Sequence, residues 1–170
     1  MTVRLAAALS LAVAATLALT GLATAQSVSL IGTFKDWAAY SASEGAGAVC
    51  FAMAKPSDVT PAPDGYTQAY LYLTHRPAEN VANELNLVAG FQFAPDQPAT
   101  LTVGGKSFDL FTQHDAAWLL DATQNDNLAG ALRSGSSVVV EGTTDKGILV
   151  NETFSLSGAT AASRAINSGC

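Results

Sequence analysis

The chain has 170 residues, and its 8 Lys and Arg against 14 Asp and Glu give a formal net charge of −6 at pH 7. Nucleic-acid binding depends on clustered cations that neutralise phosphates, so that balance argues against a nucleic-acid partner. The 49% hydrophobic content is inflated by the first 25 residues and is not the mark of a membrane protein.

Arg4 precedes a small and apolar run from Leu5 to Leu19, and Ala23-Thr24-Ala25 ends it with small residues. This is the pattern of a secretory signal peptide cleaved before Gln26. The run falls short of the roughly 20 apolar residues that span a bilayer, and no second such run follows, so no integral membrane segment is expected after cleavage. A lipoprotein would carry its cysteine at the cleavage point, whereas the first cysteine here is Cys50. Residues 26–170 are of a size for one domain with a sizeable core. Without Arg4 they hold 7 basic and 14 acidic residues, an acidity that favours solubility in an exported protein.

Short alternating segments separated by turn signals predict an antiparallel, sandwich-like β-domain. Phe34 to Ser41 reads as a strand, Glu44 to Gly47 as a turn, and Val49 to Ala54 as the returning strand. The stretch from Pro56 to Gly65 holds three prolines, which lack the backbone donor, and it reads as a loop. Gln68 to His75 is the next strand, with Tyr70, Tyr72 and Thr74 on one face and Ala69, Leu71 and Leu73 on the other. Glu84 to Phe91 answers it across a corner at Arg76-Pro77, where Pro77 to Val81 is too short for a free-standing helix. Thr100 to Val103 and Lys106 to Phe111 form a hairpin, because Gly104-Gly105 readily supplies positive backbone angles. A short strand follows from Asp115 to Leu120. A helix over Asn125 to Arg133 carries an apolar stripe of Leu128, Ala131 and Leu132. Ser137 to Gly142 and Ile148 to Ser157 make a final hairpin, and Gly158 to Asn167 a C-terminal helix.

Cys50 and Cys170 are the only cysteines. In an oxidising compartment they are expected to form one disulfide, closing a loop of about 120 residues that a chain-entropy account values at roughly 4 to 5 kcal/mol. A redox pair usually has two residues between its cysteines, and a zinc site needs four ligands that two Cys and two His far apart in sequence do not readily supply. No metal or cofactor is expected.

His75 and His114 are the only histidines. Neither belongs to a recognisable catalytic pattern, and no Gly-x-Ser-x-Gly turn is present. Both read as loop residues, and no catalytic residue is assigned. Asp121, Asp126 and Asn127 flank the mid-chain helix as capping residues, without the ligand spacing of a calcium loop. Glycosidase-like carboxylate pairs stay open, because the fold sets their separation. Asn151-Glu152-Thr153 has the form of a glycosylation acceptor. Tyr66, Tyr70 and Tyr72 are read first as a half-buried sheet face and second as a recognition surface. With His75 and Arg76 at the adjoining corner, Tyr70 and Tyr72 define a candidate partner-contact surface.

Several segments together carry a resemblance. They are Val49-Cys50-Phe51-Ala52-Met53, Leu73-Thr74-His75-Arg76-Pro77-Ala78-Glu79, Asn83-Glu84, Gly104 to Phe111, Ala117-Trp118, and Phe154 to Gly158 with Cys170. In that order the chain resembles the invasion-associated locus B family of exported α-proteobacterial proteins. The resemblance implies a β-rich domain in the periplasm, associated with the outer membrane or secreted. It also implies a link to host-cell entry and a partner that is an envelope or host protein, with no family catalytic residues to carry over. The expected function is a non-enzymatic binding module. The alternatives are a secreted hydrolase using His75 or His114, and a small-ligand binder with a pocket near Tyr70 and Tyr72.

Overall fold

A computed structural model describes residues 27–44 and 47–170; the signal peptide expected over residues 1–25 lies outside them, as do positions 45 and 46 of the expected turn. The chain is mainly β, with strands β1 (Ser29–Phe34), β2 (Trp37–Glu44), β3 (Gly47–Ala54), β4 (Asp58–Thr60), β5 (Tyr70–Arg76), β6 (Val81–Val88), β7 (Ala99–Val103), β8 (Lys106–Gln113), β9 (Ala116–Leu119), β10 (Ser137–Thr143) and β11 (Leu149–Ser155). Helix α1 (Asn125–Ser134) lies mid-chain and α2 (Ala159–Gly169) follows the last strand. Among the described residues no helix is long and apolar enough to cross a membrane.

The eleven strands of the described residues belong to one antiparallel sheet in the order β1-β2-β3-β5-β6-β9-β8-β7-β10-β11-β4. The sheet curls back on itself, so the β1–β2 turn meets the end of β11. There the Trp37 Nε1–H donates to the Ser155 carbonyl at 2.9 Å and the Asp36 N–H to the Ser157 carbonyl at 3.2 Å. Gly158 lies against the Phe34 carbonyl in a left-handed conformation (φ 98°), and the approach leaves no room for a Cβ.

Alternation along each strand sends one set of side chains into the enclosed core. Leu71, Leu85, Leu87, Leu101, Leu110, Val138 and Phe154 are fully buried there. Helix α2 adds Ala159, Ala162 and Ile166 to the same core. It is tied to the sheet by Ser163 Oγ, which donates to Asn83 Oδ1 at 2.8 Å, and by a disulfide from Cys170 to the buried Cys50, with the Cα atoms 5.9 Å apart. Helix α1 buries the predicted stripe of Leu128, Ala131 and Leu132.

Three expectations are corrected. The strand read over Phe34 to Ser41 is the second arm of a hairpin, because Lys35 (φ 54°) and Asp36 form a two-residue turn after β1. The proline-marked stretch contains β4, a three-residue edge strand on β11 that ends before Pro61, where the missing N–H does no harm. Strand β6 starts at Val81 and stops at Val88, earlier at both ends than the span Glu84 to Phe91. A 3-10 turn at Pro77–Glu79 and a left-handed Asn80 (φ 56°) reverse the chain at once, and Arg76 pairs directly with Val81. A register shift between Thr74 and Arg76, with Asn83 also left-handed, bulges this corner.

Candidate functional site

The outward-facing side chains of β2, β3, β5, β6, β9 and β8 form rows that cross the sheet. One row runs Tyr40, Phe51, Thr74, Glu84; the next runs Met53, Tyr72, Asn86, Trp118, Phe111. Aromatic rings in these rows touch. Tyr40 stacks on Phe51 with centroids 5.3 Å apart, Phe51 meets Tyr72 at 6.1 Å, and Tyr72 meets Tyr70 at 6.0 Å. Further along, Phe111 stacks on Trp118 at 5.2 Å and 18° between planes. Such pairs add roughly 0.5–1.5 kcal/mol beyond area burial, which holds the rings as a rigid surface. Phe111 is 43% exposed, and the other rings of the two rows and Tyr70 are half-buried. Beside Trp118 and Phe111 a cleft of about 490 Å³ opens, with Glu84, Gln113 and Asn125 among its lining.

Arg76 closes one end of this face. Its Nε contacts Glu79 Oε2 at 2.9 Å and its Nη2 contacts Glu84 Oε2 at 2.8 Å. The two carboxylates neutralise the guanidinium and hold it flat against the corner instead of leaving it free in solvent. At the other end the Lys55 ammonium stands 5.9 Å from the centre of the Tyr70 ring, within cation–π range. Burial and the neighbouring Tyr70 raise the Tyr72 phenol above the usual tyrosine range, so it stays a neutral donor.

Of the expected contact surface, Tyr70, Tyr72 and Arg76 are placed together on the outer face, while His75 is directed elsewhere. It pairs across the ladder with Cys50, on the inward side, and its Nδ1 is buried without a hydrogen-bond partner among the described residues. His114 lies in the exposed turn between β8 and β9 with φ 56°, where its carbonyl accepts from the Phe93 N–H. Residues near His75 pair with the start of β6 and those after His114 with its end, so the two histidines do not share a site. Asp121 does cap, but it caps the 3-10 turn Ala122–Gln124 by accepting from the Thr123 N–H at 3.0 Å. Asn151 is half-buried on β11, paired with Glu141 and Thr60.

Glu152 enters the sequence reading only as the middle residue of Asn151-Glu152-Thr153 and is missed there as a buried carboxyl. It is 1% exposed, on the inward face of β11 between Val150 and Phe154, and neither carboxyl oxygen has a hydrogen-bond partner among the described residues. Burial pushes its pKa up to about 8. The Tyr66 hydroxyl offsets part of that rise but falls short of hydrogen-bond geometry. Burial and the carboxyl in turn push Tyr66 up to about 12, and its oxygen accepts from the Ala69 N–H at 3.3 Å. Tyr66 therefore belongs to the interior and not to the outer file of tyrosines. The clue was in Val150-Asn151-Glu152-Thr153-Phe154, whose alternation puts Glu152 on the side of Val150 and Phe154.

No protein-family model, no curated protein and no solved structure matches this chain.

Proposed function

We propose that the chain is an exported cell-envelope protein of the invasion-associated locus B type, working as a non-enzymatic binding module through the outer aromatic face of its sheet. The observation that carries this reading is the file of Tyr40, Phe51, Tyr72, Trp118 and Phe111, pre-organised by ring contacts and left open on the outer side. Interface energy concentrates in rigid aromatic anchors of this kind, because their side chains lose little entropy on binding. A disulfide between distant segments suits an oxidising compartment, in accord with a periplasmic or secreted site of action. The resemblance adds an envelope or host protein as the class of partner.

Chemical cross-linking of the tagged protein in its own host, followed by purification, tests the reading. An envelope or host protein recovered with the natural chain should be lost with a Phe51→Ser and Trp118→Ser double variant that keeps the thermal unfolding transition. Equal recovery by both chains would refute the aromatic face as the binding surface.

A further inference from the structure

At the seam where the curled sheet meets itself, a groove of about 570 Å³ runs from the outer aromatic face to the end of β11. Tyr40, Met53 and Tyr70 supply its apolar wall. Lys35 and Lys55 stand on it, and neither makes an ion pair among the described residues. Two unpaired ammonium groups on one groove are notable in a chain of net charge −6. Lys35 also holds a left-handed turn position (φ 54°) that Asn or Gly would occupy at less cost. Asp36 lies beside it in the same groove.

We propose that this groove is a second binding site, adjoining the face assigned to a protein partner and sharing Tyr40 with it, and that it takes an acidic oligosaccharide of the uronic-acid type. A pyranose ring presents an apolar C–H face that matches the half-buried Tyr40 and Tyr70 rings, and a rim of hydroxyls. Its carboxylates would meet Lys35 and Lys55. The Asp36 carboxylate favours an anion that also carries hydroxyl donors: it can accept hydrogen bonds from sugar hydroxyls, which a bare polyphosphate lacks. A densely charged polymer such as nucleic acid is further disfavoured by the acidic chain as a whole.

Calorimetric titration of the purified protein with galacturonate oligosaccharides of three to six units, at physiological salt, tests the inference. A neutral gluco-oligosaccharide and a short single-stranded oligonucleotide are the comparators. The uronate should bind more tightly than either. Affinity should drop by at least about tenfold in a Lys35→Asn and Lys55→Gln variant, where Asn keeps the left-handed turn. A comparable drop is expected for Tyr70→Ala. Lys55→Arg, which keeps the charge, should retain binding and show that the loss is not a folding defect. Absence of uronate binding overturns the proposal, as does uronate binding that is no tighter than that of either comparator. Binding that survives Tyr70→Ala would mean attraction of a polyanion alone and overturns it too. Partner capture through Phe51 and Trp118 is read separately, so either result can fail without the other.

Discussion

Leu71 and Leu73 point into the core, while Tyr70 and Tyr72, their neighbours on β5, stand half-buried on the opposite side. The same contrast runs across the sheet: Leu85 and Leu87 against Asn86, Ala117 against Trp118, Leu110 against Phe111. The inner row is explained by folding alone, since each buried aliphatic side chain contributes about 1.5–3 kcal/mol. The outer row is not, because a solvated sheet face can be filled by Thr, Lys or Glu with little loss of stability. The ring contacts there add some stability, and the surface they form is the one proposed above for binding. Glu152 is the converse case, a carboxyl placed where folding would prefer an aliphatic side chain.

Truncation at the inner face should give the largest effect. Phe154→Ala removes a fully buried ring beside Glu152 on β11 and should cost about 3–5 kcal/mol, read as a lowered urea midpoint at unchanged slope. An effect below about 1 kcal/mol would mean that the inner and outer faces are not distinct.

Glu152 should give the next largest effect, with a distinctive dependence on pH. Its folded pKa of about 8 lies above the ordinary glutamate value, so between about 4.5 and 8 the folded chain holds a proton that the unfolded chain has released. This contribution is fully present below about pH 4.5 and is lost as pH rises through 8. Every tenfold difference in proton affinity between the folded and unfolded chain corresponds to about 1.4 kcal/mol, which puts the total on the order of 3–5 kcal/mol. Compared with the natural chain, Glu152→Gln should therefore unfold at nearly the same urea concentration near pH 4.5 and at a progressively higher one toward pH 8.5. A constant difference across that range would contradict the buried, unpartnered carboxyl.

At the outer face the expected change is smallest. Tyr72→Ala should cost about 1 kcal/mol or less in urea unfolding, the scale of one cross-strand aromatic contact, even though the residue lies at the centre of the ring file. A loss as large as that of Phe154→Ala would move Tyr72 from the binding surface into the structural core.

Much of this contrast can be read from the sequence, because alternation within a strand is local. Tyr70 to Thr74 divide between the two faces as their order dictates, Gly104-Gly105 sits at its hairpin, and the stripe of α1 is buried as its spacing predicts. The pairing of Cys50 with Cys170 is expected, because they are the only two cysteines of a chain that opens like an exported one. What was not legible is long-range. Nothing local places Trp118 two strands from Tyr72, because strand order β5-β6-β9-β8 is decided by packing of the whole sheet. Strands β1 and β4 escape for another reason: both are edges, so neither needs the regular alternation of a strand flanked on both sides. The groove at the seam inherits the same difficulty in part: the hairpins β1–β2 and β2–β3 bring Lys35 beside Lys55 locally, but Ser155 joins them only when the sheet has curled.

The two ends of the strand order bear on how the protein behaves at high concentration. A sheet that does not close by hydrogen bonds leaves edges on which another chain can grow, and growth of that kind leads to fibres. At one end β4 offers three residues and then Pro61, too little to template a neighbour. At the other, β1 carries the exposed Leu30 and Ile31, but its register with β2 breaks between Leu30 and Gly32. A bulge at that place leaves only short regular runs for an incoming strand, so a small irregularity in the first hairpin works against edge-to-edge growth of the sheet.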